Sequence, residues 1–244
     1  MAIQIVEILG RSIQGVTRPF RCRCENGDIY YVKGHGATRH SLIAEFICGH
    51  LARSFGLPIA DFEVVDVPQE LIGWGSSTDM HDLGAGLAFG SKAIPHVQEF
   101  SVSHLPLVSE QLRKDIVIFD WWVHNADRTL SDRGGNPNLL WNQDACQLAV
   151  IDHNQAFDDA FNKQSFSELH VFRENLVSIC DDLIDRVAYR DRLAAAFAEF
   201  ELACDNVPPE WWWVDDGVPA NFSRDAARAI LERFNNDDFW RIAR

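Results

Sequence analysis

From Ile3 to Lys33 apolar and polar residues alternate in short runs: IQIVEIL, then Phe20 to Cys24, then Ile29 to Lys33. A period of two sends successive side chains to opposite faces of a strand. Between the second and third runs lies Glu25-Asn26-Gly27-Asp28, whose Asn-Gly pair tolerates the positive φ of a tight hairpin. The chain is therefore expected to begin as an antiparallel sheet. The period then lengthens. In LIAEFICGHLARSF apolar residues recur at helical spacing through Leu42, Phe46, Ile47 and Leu51, with Ser41 as the cap in front and Gly56 as the stop. After Pro58, IADFEVVDV reads as a further strand, and the glycine-rich stretch from Gly84 to Gly90 reads as a connection.

Helical periodicity dominates the remainder. Ser109 is the expected cap of SEQLRKDIVIFDWWVH, with Glu110 in the first turn, where the helix dipole favours an acid. Segments around Val187 to Cys204 and Ser223 to Phe234 are also amphipathic, and only Trp141 to Ile151 looks extended. A strand-rich front with one helix, a glycine-containing connector and a helical back predict an α+β protein of two lobes. The expected division is a small β-rich N-terminal lobe over residues 1–90 and a larger, mainly helical C-terminal lobe over residues 91–244, with a ligand cleft between them.

Composition narrows the function classes. The 244 residues are 47% hydrophobic and 24% charged, as a globular chain with a sizeable core requires. Lys and Arg total 22 against 36 Asp and Glu, a formal charge of −14. A surface that acidic repels the phosphate backbone of DNA or RNA, so no direct nucleic-acid binding is expected. A nucleotide cofactor stays compatible with the charge, because bound magnesium and a few local cations offset phosphate inside a cleft. No apolar stretch reaches the roughly 18 residues a membrane span needs. The N-terminus lacks the basic start and long apolar run of a signal peptide, and a reduced cytoplasm is the expected location of the six cysteines. Cys22 and Cys24 share a strand face without a second pair at zinc spacing, which favours buried apolar roles. Nine histidines include His35 and His40 close together, but no HExxH or similar spacing, so zinc catalysis is set aside. Packing is likewise the reading for Phe157 and Phe161, and packing against the helical lobe for the run Trp211 to Trp213.

The chemistry concentrates between residues 124 and 153. His124-Asn125-Ala126-Asp127-Arg128 precedes a glycine-containing loop, Ser131 to Gly135, then Asn136-Pro137-Asn138-Leu139-Leu140, and finally LAVIDH ending in Asp152 and His153. Phosphoryl transfer needs a carboxylate at the attacking hydroxyl, and an Asn with a second carboxylate for the magnesium ions that bridge the phosphates. Asp127, Asn136 or Asn138, and Asp152 supply that set in the order protein kinases use. A hairpin of NLLW and LAVID would carry Asp152 back towards Asp127. Upstream, Lys33 ends the strand YYVK as a candidate point charge for phosphates, and Glu45 on the following helix faces inward, where Lys33 is its expected partner.

These stretches, with YYVKG, LIAEFICGHLARSFGLPIADFEVV, GAGLAFGS, FDWWVHNADRT, NPNLLW, LAVIDHNQAF and VPPEWW, resemble the HipA-like kinases, chiefly their short members, and more distantly the type II phosphatidylinositol kinases. The resemblance runs from about residue 6 to about residue 213 and implies a two-lobed protein-kinase-like fold using ATP and Mg2+. By it, Lys33 binds ATP phosphates, Asp127 is the catalytic aspartate, and Asn136 and Asp152 hold magnesium, with Asn138 the competing ligand because Ser131 to Gly135 looks inserted. Gly10 and Ser12, within Gly10-Arg11-Ser12-Ile13-Gln14-Gly15, and Phe89 in GAGLAFGS are the further nucleotide-binding candidates. His153-Asn154 stands where protein kinases have Phe-Gly, so switching through that motif does not carry over. The expected activity is transfer of the γ-phosphate to a Ser or Thr hydroxyl of a protein, and the expected partner besides ATP is a protein substrate or a regulatory protein. The alternatives are a nucleotide-binding pseudokinase or interaction module, or a small-molecule or lipid kinase. Ser12, Ser76 and Ser77 are candidate self-phosphorylation sites.

Overall fold

A computed structural model of the chain describes residues 2–12, 18–73, 78–131 and 134–241. Ile13, Gln14 and Gly15 of the candidate phosphate loop, and Ser76 and Ser77, lie outside the described residues. Two compact units emerge: one comprises Met1–Ile43, Ala60–Pro95 and Pro208–Asn221, the other Ala44–Ile59, His96–Val207 and Phe222–Arg244.

The first unit is built on strands β1 (Ile3–Arg11), β2 (Phe20–Cys24), β3 (Ile29–Lys33), β4 (Phe62–Val67) and β5 (Gly86–Lys92). They form a closed barrel in the order β1-β2-β3-β5-β4. Neighbours run antiparallel except β1 and β4, whose parallel pairing of Ile3 with Val65 and Gln4 with Asp66 closes the ring. Closure leaves no open sheet edge to attract another chain. Phe20, Cys22 and Cys24 alternate inward and pack with Ile5, Tyr30, Val32, Val65, Val67 and Ala88. Burial pushes the Cys22 thiol up to about 12 and the Cys24 thiol to about 11, so both behave as small apolar residues.

Two expectations change here. The stretch from Gly84 to Gly90 is not merely a connection, because β5 runs through it and lies between β3 and β4. Gly90 explains the misreading: a Cβ there would stand 2.8 Å from Val65 Cγ1 and 3.3 Å from Tyr30 Cδ1, so this strand needs a residue without a side chain. Helix α1 (Arg39–Phe55) starts earlier than expected, since Thr38 Oγ1, not Ser41, caps it by accepting the Ser41 N–H at 3.1 Å. Gly56, with φ 95°, ends it as anticipated. Two short helices, α2 (Gln69–Ile72) and α3 (Thr78–Leu83), link β4 to β5. The tryptophan run belongs to this unit and not, as the sequence suggested, to the helical one, and it divides: Trp211 is fully buried, its indole N–H donating to the Leu87 carbonyl of β5, whereas Trp213 is 51% exposed.

The second unit is mainly helical around α4 (Glu110–Trp122). Ser109 Oγ accepts the Leu112 N–H as the sequence suggested, and every residue from Asp115 to Trp122 is buried. A helix covered on all sides must satisfy its polar groups within the protein. The indoles of Trp121 and Trp122 do so by donating to the carbonyls of Phe239 and Leu231. A three-stranded sheet, β6 (Val97–Glu99), β7 (Leu139–Asn142) and β8 (Gln147–Val150), packs in the same unit. With three residues, β6 is too short to register as a period. The expected segment from Val187 to Cys204 resolves into helices Leu183–Phe197 and Phe200–Asn206, the first capped by Asp182. No helix among the described residues is long and apolar enough to cross a membrane.

Candidate active site

α4 ends in a reversal. Val123 is its last cap residue, His124 adopts a left-handed φ of 56°, and the Asn125 N–H returns to the Asp120 carbonyl at 2.9 Å. The His124 ring lies flat on Phe161, centroids 4.2 Å apart, and burial, reinforced by Arg233, holds its pKa down to about 3. Three residues later Asp127 stands outside the helix.

One oxygen of Asp127, Oδ2, accepts from both Asn136 Nδ2 at 2.8 Å and Asn138 Nδ2 at 2.9 Å. A carboxylate only accepts, so each amide must present its nitrogen to Asp127, which leaves each Oδ1 as an acceptor elsewhere. The long spacing between Asp127 and Asn136 does no harm to this geometry. The main chains of Ser131 and Gly134 pair in both directions at 3.0 Å. The Thr129 N–H then reaches the Asn136 carbonyl at 2.9 Å. Gly135 makes the return possible, because a Cβ there would stand 2.5 Å from the Thr129 carbonyl oxygen.

The β7–β8 hairpin pairs Leu139 with Val150, and the Ile151 N–H donates to the Asn138 carbonyl at 3.1 Å. Asp152 thereby comes within electrostatic reach of Asp127. Burial first, and the Asp152 charge as well, raise the Asp127 pKa, against a lowering by the two amides and Arg128. Asn138 and Asp152 both sit in the left-handed region, at φ 48° and 59°, a conformation that Asn and Asp tolerate best among residues with side chains. Asp127, Asn136, Asn138 and Asp152 offer oxygen donors only, a set that suits a hard cation such as Mg2+. Among the described residues, no group of three or more His, Cys, Asp or Glu side chains could hold a metal ion.

Beneath this cluster lies a second one that the sequence reading missed. Arg128 and Asp120 are both fully buried, and Arg128 Nε meets Asp120 Oδ2 at 2.6 Å. Asp120 also accepts from Asn125 Nδ2 at 2.8 Å, while His170 Nε2 lies 3.0 Å away. The Phe172 N–H donates to His170 Nδ1, so in neutral His170 the ring proton is on Nε2 and points at Asp120. Arg128 Nη1 donates to the carbonyls of Pro137, Asn138 and Ile151 at 3.1, 2.5 and 3.3 Å. Its Nη2 lies 3.2 Å from His153 Nε2, which must therefore be an acceptor, so the 3.7 Å approach of that nitrogen to Asp120 is not a charged pair. Burial opposes ionisation of Asp120, but the Arg128 guanidinium and the His170 hydrogen bond outweigh it and hold the carboxyl far below its usual range. The signal was present in the sequence, an acid inside the apolar run IVIFDWW, since a carboxylate there must find a cation.

The other predicted residues lie apart from this cluster in the chain. Lys33, buried at the end of β3, is in register with Phe89 of β5 in the first unit. Phe89 stacks on Phe62 with centroids 5.6 Å apart. Gly10 occupies an irregularity of β1 opposite Arg21 with φ 141°, and the Ser12 N–H donates to the Pro19 carbonyl at 2.8 Å. Glu45 lies on α1, is buried as expected, and belongs to the second unit.

Comparison with known proteins was made for the whole chain. Among solved structures, the Helicobacter pylori proinflammatory kinase CtkA is similar over 98% of this chain and 97% of its own, with 10% sequence identity and a TM-score of 0.53. The Golgi casein kinase aligns with 98% of this chain and 71% of its own at 13% identity and a TM-score of 0.47. The same kinase with Mn/ADP bound gives 97%, 71%, 12% and 0.44. No curated protein gives a significant match. Residues 5–243 match the model of the HipA-like kinases. With nearly its whole length matched, and a kinase-like mixture of strands and helices, the chain belongs to the HipA-like kinase family and is a kinase.

Proposed function

We propose that this kinase uses ATP and Mg2+ and transfers the γ-phosphate to a Ser or Thr hydroxyl of a protein. The observation that carries the reading is the pair of amides on one oxygen of Asp127, which orient the carboxylate and leave Oδ1 to meet a hydroxyl. As the hydroxyl oxygen bonds to the γ-phosphorus, the bond from that phosphorus to the ADP oxygen breaks, and the hydroxyl proton passes to Asp127. A raised pKa makes Asp127 a better proton acceptor than an exposed aspartate.

Asp152 and the Oδ1 atoms of Asn136 and Asn138 are the oxygen donors assigned to magnesium, and the repulsion between Asp152 and Asp127 is what a bound cation would relieve. A magnesium ion held there would supply positive charge against the charge that develops on the transferring phosphate. Lys33 is assigned to the phosphates as a point charge, Glu45 to the catalytic set, and Gly10, Ser12 and Phe89 to the nucleotide. A protein acceptor extends the kinase assignment by the family resemblance rather than by a residue of this site.

Calorimetric titration of ATP with and without magnesium tests the ligand assignment. Wild type is expected to bind with a strong magnesium dependence that Asp152→Ala loses, while Asp127→Ala still binds. Binding by Asp152→Ala as tight and as magnesium-dependent as wild type would remove Asp152 from the metal site.

A further inference from the structure

We propose that Arg128, locked by Asp120, is a positioning residue for phosphoryl transfer: it sets the backbone of Asn138 and Asp152 against Asp127. The inference rests on the phosphotransferase reading and adds a residue to which neither the motif pattern nor the family match gave a role.

Three segments must hold a common geometry for Asp127, Asn138 and Asp152 to act together: the loop after α4, the turn before β7 and the residues after β8. Arg128 touches all three. It directly follows Asp127, its Nη1 donates to the carbonyls of Pro137, Asn138 and Ile151, and its Nη2 donates to His153, next to Asp152. Among the described residues, main-chain bonds join these segments at only two places, Thr129 N–H to the Asn136 carbonyl and Ile151 N–H to the Asn138 carbonyl, and Asn138 and Asp152 themselves lie in left-handed conformations beyond the ends of the β7–β8 pairing. A planar guanidinium with five donors can bind several such acceptors at once, whereas a lysine offers one compact point charge.

The guanidinium is itself fixed. Asp120 takes its Nε and Nη2, and the remaining positions on that carboxylate are filled by Asn125 and His170. His170 is held in turn by the Phe172 N–H. The chain of contacts leads from α4, a rigid buried helix, to the two candidate ligands, as outer partners do that orient the ligands of a metal.

The test compares wild type, Arg128→Lys, and the double variant Asp120→Asn with Arg128→Gln. The double variant leaves no buried charge unpaired if the lysine protein fails to fold. Folding is checked by circular dichroism and thermal denaturation. Binding is read by calorimetry with ATP in EDTA and with ATP plus Mn2+, and the bound Mn2+ by electron paramagnetic resonance.

The expected result for the folded variants is unchanged ATP binding in EDTA, metal-dependent binding weakened about 10- to 100-fold, and an altered Mn2+ spectrum. A purely structural role would lower the thermal midpoint and leave the Mn2+ spectrum of the folded fraction as in wild type. That result, or wild-type metal-dependent binding in either folded variant, overturns the positioning role and leaves the kinase reading intact. Absence of metal-dependent binding in wild type overturns the reading itself.

Discussion

At the scale of single residues the site holds two carboxylates with opposite environments. Asp127 has its pKa raised, chiefly by burial and further by Asp152. The folded state therefore binds its proton more tightly than the unfolded chain, and stability falls as pH rises from the ordinary aspartate value, about 4, through the folded value. Asp127→Asn removes that penalty while its Oδ1 still accepts both amides. The variant is expected to lose transfer by about 10²- to 10⁴-fold, to keep nucleotide binding, and to melt above wild type at pH 7. Melting curves at pH 7 and pH 4 check this, with the gain shrinking at the lower pH. Asp120 has the reverse sign. Its burial opposes ionisation, yet Arg128 and the His170 hydrogen bond hold its carboxyl low. Its stabilisation is complete above the ordinary aspartate range and is lost as pH falls through that range towards the folded value. Acid unfolding of wild type is accordingly expected to be steeper than that of the Asp120→Asn, Arg128→Gln protein.

At the scale of elements, what was legible depended on range. The hairpin at Asn26-Gly27, the Ser109 cap and the return of Asp152 through NLLW and LAVID are all written in neighbouring residues, and the structure has each of them. The glycine-rich strand β5 was missed because its reason lies in Val65 and Tyr30 on other strands, and barrel closure because β1 and β4 are separated by more than fifty residues, on the order of half a small domain. His170 is fifty positions from Asp120, so the partner was beyond local reading even though the need for one was not. At the start of α1 the choice between two hydroxyls gives a direct check. Thr38→Ala is expected to cost about 1 kcal/mol and Ser41→Ala much less, measured as shifts in urea midpoint at constant slope.

At the scale of the whole molecule, a formal charge of −14 accompanies a kinase family that must handle a polyanionic nucleotide. The two facts agree if magnesium carries the nucleotide charge, and the same charge disfavours nucleic acid. On the proposed reading, Mg2+–ATP at a hundredfold excess over its dissociation constant is expected to add about 2.7 kcal/mol to the folded state, which for a chain of this size would raise the thermal midpoint by about 5–10 °C. ATP in EDTA is expected to shift it far less, and duplex DNA at 150 mM salt, about the physiological ionic strength, not at all. An equal shift by ATP without the metal would contradict the metal assignment.

The most direct test of the central claim is transfer of label from γ-³²P-ATP, with Mg2+, to generic protein acceptors such as casein and to the protein itself, comparing wild type with Asp127→Asn. Label on serine or threonine with wild type, absent with a folded, nucleotide-binding Asp127→Asn, is the predicted result. Equal labelling by the two proteins would contradict the role of Asp127, and no labelling by a wild type that binds Mg2+–ATP would contradict transfer to protein.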